Sequence, residues 1–306
     1  MVDIVMATFN GGKYLRVQLD SILNQTYKNI RIIIRDDGSK DDTVEIIREY
    51  REKYPEKIVL ISDNVQCGSS KSNFMQAMKS ATAEYVMCSD QDDYWLPDKI
   101  QHSIDRMLEI EQKIGKDKPV LVFGTYQPVD ENLKGIKEQK KNRQESAYKL
   151  VFTNLLVQNY VNGCLMLMNR SLVDAMGDYN DAILMHDWWA VLIASGAGTV
   201  EHIDEVMMLY RQHCNNVVGA VNVKSFRYRI KKILDSDTKN ANILYFNQAK
   251  LLYERNRDLL MPEHQIELER FIKLYDKKKI GRMIDLIRGG YLKSDFVRIV
   301  GQLYYI

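Results

Sequence analysis

Tyr85-Val86-Met87-Cys88-Ser89-Asp90-Gln91-Asp92-Asp93-Tyr94-Trp95 runs from a strand-type apolar stretch directly into three carboxylates within four positions. Carboxylates this close repel one another unless a positive group lies among them. Hard divalent cations take oxygen ligands, and Mg²⁺ is commonly held by one or two carboxylates together with substrate phosphates. A strand ending in Asp-x-Asp is therefore a place to hold a metal-bound diphosphate, and Asp90 and Asp92 are read in that way. The competing reading is an acidic loop that caps the helix starting near Pro97, with Asp93 or Asp98 bonding backbone amides. For Asp98 the capping reading is preferred.

Toward the N-terminus the same rhythm repeats. Residues 2–7, 30–34, 58–61 and 85–88 are short β-branched or apolar runs. Between them, Tyr14, Val17, Leu19, Ile22 and Leu23 recur at helical spacing. A second helix is opened by Asp41 or Asp42 and runs to about Tyr54, before Pro55, and a third covers about 73–80. Such alternation predicts right-handed crossovers and a mostly parallel sheet covered by helices on both faces. Ligands of these sheets bind beyond the carboxyl ends of the strands. Thr8-Phe9-Asn10-Gly11-Gly12, Arg35-Asp36-Asp37-Gly38-Ser39 and the acidic loop each lie at such an end. Asp36 and Asp37 can accept hydrogen bonds from a base or ribose, with Gly38 letting backbone approach; taken alone, they read as an ordinary turn. The first strand is not followed by G-x-G-x-x-G, which argues against an ordinary dinucleotide fold.

Beyond residue 100 the pattern is less regular. Residues 121–124, 161–168 and 199–202 are strand-like, 134–144 is a Lys-rich loop or exposed helix, and 171–176 is helical. Residues 182–194 hold Trp188 and Trp189. From about Lys224 apolar residues fall three or four apart: Phe226, Ile230, Ile233 and Leu234, then Ile243, Phe246, Leu251 and Leu252. A chain of 306 residues suits one large domain, 1–221, with its halves meeting near residue 100, plus a helical appendage, 222–306. The net charge of +2 hides an asymmetry, because from Val221 onward 18 Lys and Arg face 10 Asp and Glu. Lys224, Arg227, Arg229, Lys231 and Lys232 lie beside Phe226, Tyr228, Ile230, Ile233 and Leu234. That segment suits either an anionic membrane surface or the solvated face of a helical subdomain. Lys277, Lys278 and Lys279 with the closing Leu303-Tyr304-Tyr305-Ile306 permit the same two readings, or a protein contact. Cys67, Cys88, Cys164 and Cys214 form no CxxC pair and no zinc-like spacing, which fits a reduced, cytoplasmic setting, peripheral to a membrane at most. No stretch approaches about 20 apolar residues.

Met6-Ala7-Thr8-Phe9-Asn10-Gly11, the helix with Leu19-Asp20-Ser21-Ile22-Leu23-Asn24-Gln25-Thr26-Tyr27, Asp36-Asp37-Gly38-Ser39 and Asp90-Gln91-Asp92-Asp93 occur in that order. Together they resemble glycosyltransferase family 2, the inverting enzymes of GT-A fold. Ser89-Asp90-Gln91-Asp92-Asp93-Tyr94-Trp95 is most similar to the rhamnosyltransferase-like members that build bacterial surface polysaccharides. The resemblance covers about the first 220 residues. It implies a nucleotide-sugar donor, a saccharide or lipid-linked saccharide acceptor, and a divalent cation, Mn²⁺ or Mg²⁺. Thr8 and Asn10 would lie against the nucleotide, Asp36 and Asp37 at base and ribose, and Asp90 at the ribose or donor sugar. Asp92 would be the principal metal ligand. Lys71 falls where relatives keep a basic or polar donor contact, whereas Arg35 stands where they often have an apolar or small residue.

The resemblance also gives roles to two later segments. In Met185-His186-Asp187-Trp188-Trp189, Asp187 would be the general base that deprotonates the acceptor hydroxyl, in preference to a helix cap. Relatives often carry Glu-Asp here, and His186 is read as orienting, structural or catalytic. Trp188 and Trp189 can stack on an acceptor sugar, although adjacent residues on a helix point different ways, so one of them belongs to the core. In Leu209-Tyr210-Arg211-Gln212-His213-Cys214, Arg211 would meet phosphates and His213 would bind the metal or be structural. Cys214 stands where relatives often have glycine.

Other classes fit less well. A nucleotidyltransferase usually opens on a Gly-rich loop with Arg or Lys, unlike Thr8-Phe9-Asn10-Gly11-Gly12-Lys13. A non-catalytic nucleotide-sugar-binding protein would not need both Asp92 and Asp187. Nucleic-acid binding has only the basic tail in its favour.

Overall fold

Strands buried on both faces read as continuous apolar runs. This is why β1 (Val2–Thr8), β2 (Ile30–Asp36) and β4 (Tyr85–Ser89) occupy the middle of the first half of the sheet. The computed structural model describes residues 1–63, 65–136, 150–213, 236–294 and 296–305. Cys214, the basic segment from Lys224 to Leu234 and most of the Lys-rich 134–144 stretch lie outside the described residues.

The described residues form an eight-stranded sheet in the order β3-β2-β1-β4-β7-β6-β8-β5. Here β3 is Ile58–Ile61, β5 Tyr94–Trp95, β6 Val120–Val129, β7 Met166–Asn169 and β8 Thr199–Arg211. Helices α1 (Gly12–Leu23), α2 (Thr43–Lys53) and α3 (Ser70–Met78) make the crossovers among the first four parallel strands. The expected α/β class holds, but the sheet is mixed. β7 runs antiparallel to both β4 and β6, β5 runs antiparallel to β8, and β6 and β8 are parallel. The first half is thus a parallel unit, and the reversal begins where β7 inserts beside β4.

Several details depart from the sequence reading. Residues 161–168 are not one strand: a 3-10 turn, Gly163–Leu165, precedes β7. β8 extends nine residues past 202, to Arg211. Asp204 and Glu205 disguise it, because they fall where the β6–β8 register shifts between Phe123 and Thr125, so the charges bulge into solvent. Asp98 occupies the N-cap position of α4 (Lys99–Ile114) but makes no side-chain cap. Asp42 likewise makes none for α2; Asp41 instead accepts from the Thr43 and Gly12 amides at 3.1 and 3.0 Å.

Beyond β6 come α5 (Phe152–Leu155), α6 (Arg170–Met176) and α7 (His186–Ala197). They are followed by α8 (Ser236–Asn256), α9 (Pro262–Lys273), α10 (Lys279–Arg288) and α11 (Phe296–Tyr305). Phe246 stacks on Phe271 at 4.8 Å, and Leu252 and Leu260 join the same hydrophobic core as the sheet. The Met261 amide donates to the Gly196 carbonyl at 2.8 Å, which fastens the C-terminal helices to α7. No described helix is long and apolar enough to cross a membrane.

Candidate active site

Register assembles the site. Thr8 pairs with Asp36 and Met6 with Ser89, so the ends of β1, β2 and β4 lie level. Thr8 Oγ1 donates to Asp36 Oδ1 at 2.8 Å, while Asp36 Oδ2 accepts from the Gly38 and Ser39 amides. Asn10, in the left-handed region at φ 48°, accepts from the Lys40 amide through Oδ1 at 2.8 Å. Asp37 is turned inward and accepts from the Cys67 and Gly68 amides and from Arg35. These acids therefore organise the turn itself. Arg35 is fully buried and binds Asp63, Asn73 and the Val65 carbonyl, which ties the β3–α3 loop to β2. Lys71 Nζ reaches away from this turn to the Ile183 carbonyl at 2.8 Å.

The acidic loop lies beside the first turn. Gln91 clasps Phe9 on both sides, accepting from its amide at 2.9 Å and donating to its carbonyl at 3.0 Å. A Cβ at Gly11 would come within 2.1 Å of Gln91 Oε1, so any side chain there would displace the Gln91 amide from this clasp. Asp90 is half-buried, and burial, with Asp92 beside it, pushes its pKa up to about 7. Asp93 is buried and held well above the carboxylate range, first by burial and then by Asp90 and Asp92. One Asp93 oxygen accepts from the Arg211 amide at 3.1 Å; the other has no partner. Asp90, Asp93 and Cys164 bring one ligand atom each within 4.8 Å of one another. The Cys164 thiol is itself pushed well up by burial, so it stays protonated beside Asp90.

β8 supplies the far wall. His213 Nε2 lies 2.9 Å from Asp92 Oδ2, and its ring stacks on Tyr14 at 4.8 Å. Arg211 is buried and donates to the carbonyls of Asp92 and Glu131, with its guanidinium carbon 4.7 Å from the Tyr14 ring centroid. Arg211 thus braces the backbone of the acidic loop.

Asp187 stands in the first turn of α7, near enough to raise the pKa of Asp90, and its Oδ1 accepts from the Trp188 amide at 2.6 Å. The helix N-terminus favours its negative charge. His186 is buried against Phe74, ring centroids 4.2 Å apart, and neither ring nitrogen has a hydrogen-bond partner. Burial drives its pKa down to about 3, so the ring is neutral. Trp189 is wholly buried and donates to the Met176 carbonyl, so it has no face to offer an acceptor sugar. Trp188 is partly exposed, donates to the Leu155 carbonyl and lies 5.5 Å from the Tyr245 ring.

Sequence reasoning missed Lys99, which lies under the acidic loop. It is buried, donates to the Cys164 carbonyl and sits 3.6 Å over the Trp95 ring. Burial lowers its pKa to about 8 against the pull of nearby groups, Asp93 and Asp90 among them. Helical spacing held a signal, because Lys99 shares the buried stripe of α4 with Ser103, Met107 and Ile110. Tyr14 and Gln91 gave no comparable signal.

Residues 3–176 match the family model for glycosyl transferase family 2. The dTDP-rhamnosyl transferase RfbG of Shigella flexneri is 31% identical over 240 residues, 74% of this chain and 78% of the relative. An uncharacterized glycosyltransferase of Rickettsia typhi is 30% identical over 217 residues, 70% of this chain but 64% of that relative's length. Among solved structures, the mannosyltransferase PcManGT from Pyrobaculum calidifontis, in complex with GDP-Man and Mn2+, superposes with a TM-score of 0.55. That match has 15% identity and covers 94% of this chain and 72% of the other. The fold is the α/β architecture of GT-A glycosyltransferases. The chain belongs to glycosyl transferase family 2.

Proposed function

We propose that this glycosyltransferase moves a sugar from a nucleoside-diphosphate donor onto an acceptor hydroxyl, with inversion, in the assembly of a bacterial surface polysaccharide. The observation that carries this reading is the meeting of Asp187 with the Asp90–Asp93 loop where strands β1, β2 and β4 end. The name of the Shigella relative supports dTDP-rhamnose as donor; the acceptor in this reading is a saccharide or lipid-linked saccharide.

The donor set suits a divalent cation. It offers carboxylate oxygens, one of them buried without a partner, and an imidazole beside Asp92. Oxygen ligands with one imidazole fit Mg²⁺ or Mn²⁺. Asp92 and His213 would hold the ion, with Asp90 at the donor, and the bound ion would offset charge on the departing diphosphate. Asp187 takes the proton of the acceptor hydroxyl as its oxygen bonds to the anomeric carbon. The bond from that carbon to the diphosphate oxygen breaks, and its electron pair leaves with the nucleotide. Asp36 and Asp37, with Thr8 and Asn10, fix the turn against which the nucleoside rests, and Trp188 borders the acceptor side. Lys71 and Arg211 act through the loops that they brace.

Calorimetric binding of TDP, UDP and GDP, each with and without Mn²⁺, tests the reading. Metal-dependent binding of TDP is expected, followed by turnover of dTDP-rhamnose. A folded protein that binds none of the three overturns it, and binding without turnover on any acceptor leaves a nucleotide-sugar-binding protein.

A further inference from the structure

Helices α10 and α11 are ten residues each. An amphipathic helix of a folded domain normally turns its apolar stripe inward. Here both helices turn one outward. Ile280, Ile284 and Ile287 fall at successive turns and are 74%, 44% and 54% exposed. Phe296, Val300 and Tyr304 repeat the pattern at 79%, 45% and 57%. The two helices meet where Lys279 Nζ donates to the Tyr304 carbonyl at 2.6 Å and lies 5.2 Å from its ring. Exposed apolar clusters of this kind mark interaction surfaces.

Charge selects the partner. Residues 277–305 carry seven Lys and Arg against two Asp, and Lys278, Arg288 and Arg298 are exposed. Two copies of so basic a surface would repel each other. An anionic lipid surface offers acyl chains to the apolar stripe and phosphates to the cations. We propose that α10 and α11 seat the protein on an anionic bilayer. Ile280, Ile284, Phe296 and Val300 enter the acyl boundary, and Lys278, Arg288 and Arg298 meet the headgroups. This assigns the contact to the last two helices rather than to the Lys224–Leu234 segment, and it stands independently of the sugar-transfer reading.

The test is co-sedimentation of the full chain with vesicles of phosphatidylcholine alone and of phosphatidylcholine with phosphatidylglycerol. Binding to the anionic vesicles is expected to be at least about tenfold tighter and to weaken with added salt. The pair Ile280→Ser and Phe296→Ser, and separately Arg288→Glu with Arg298→Glu, should each lower it about tenfold. Thermal melting and nucleotide binding serve as folding controls, since none of these residues belongs to the active site. Absence of vesicle binding, or binding that both variant pairs retain, overturns the proposal. So does a concentration-dependent dimer that the serine pair abolishes in place of vesicle binding.

Discussion

His213 Nε2 and Asp92 Oδ2 lie 2.9 Å apart, so the end of β8 is tied to the second acid of the Asp-x-Asp loop across 121 positions of sequence. If this pair holds the cation, Asp92→Asn should lower turnover about 10²- to 10³-fold at every Mn²⁺ concentration. His213→Ala should weaken metal affinity about 10- to 100-fold. Steady-state rates across a Mn²⁺ titration decide the point; full metal-dependent turnover by Asp92→Asn would remove the assignment.

Asp187 lies at the start of α7, near enough to the acidic loop to raise the pKa of Asp90, and its proposed work is proton removal rather than donor binding. Asp187→Asn keeps the shape and removes the base. Turnover should fall about 10²- to 10⁴-fold while nucleotide affinity is unchanged. Calorimetry beside single-turnover kinetics separates the two, and a variant with intact transfer is not compatible with the role.

His186 makes stability depend on acid. Its folded pKa is depressed to about 3 from the ordinary 6.5, so the folded chain keeps the ring neutral. Below pH 6.5 the unfolded chain takes up a proton that the folded chain refuses, and stability falls as pH drops toward 3. The slope approaches about 1.4 kcal/mol per pH unit within that window, and the group contributes no slope above it. His186→Leu should flatten this part of the profile. Denaturant unfolding of both proteins at several pH values measures the difference.

Lys99 is the buried cation beside Asp90 and Asp93. Lys99→Met preserves bulk but removes a charge that lowers the pKa of both acids, so both should titrate at higher pH and the folded chain should lose stability. Lys99→Arg should not restore stability, because the buried ammonium sits 3.6 Å over Trp95 and donates to the Cys164 carbonyl, a geometry that a longer planar guanidinium does not reproduce. Urea midpoints of the three proteins test both statements, and a Met variant as stable as the parent rejects the counter-charge role.

Local periodicity made the first half of the fold legible. The run from residue 58 to 61 is the strand Ile58–Ile61 itself, and the acids at strand ends share one edge because parallel register aligns those ends. The antiparallel insertion of β7 was hidden, since strand direction depends on which neighbour a strand meets rather than on its own residues. The length of β8 was masked by charges at a register shift. In the site, Asp90 and Asp92 stood out because several acids at one strand end repel one another without a positive group among them, whereas Asp187 stood out through the family resemblance. Gln91, Tyr14 and Lys99 did not, because an amide, a ring or a lysine is commonplace until its surroundings are known. Trp188 and Trp189 were equivalent in sequence, and only packing placed Trp189 inside.

The pair of hydrogen bonds between Gln91 and the Phe9 backbone bears on when the site becomes ordered. It welds the first βα turn to the acidic loop in the folded protein, before any donor arrives. The configurational freedom of these two loops is surrendered once, during folding, and not again at each catalytic cycle. Under the proposed sugar-transfer reading, different nucleotide sugars would be accommodated by altering side chains around a frame whose geometry is already settled.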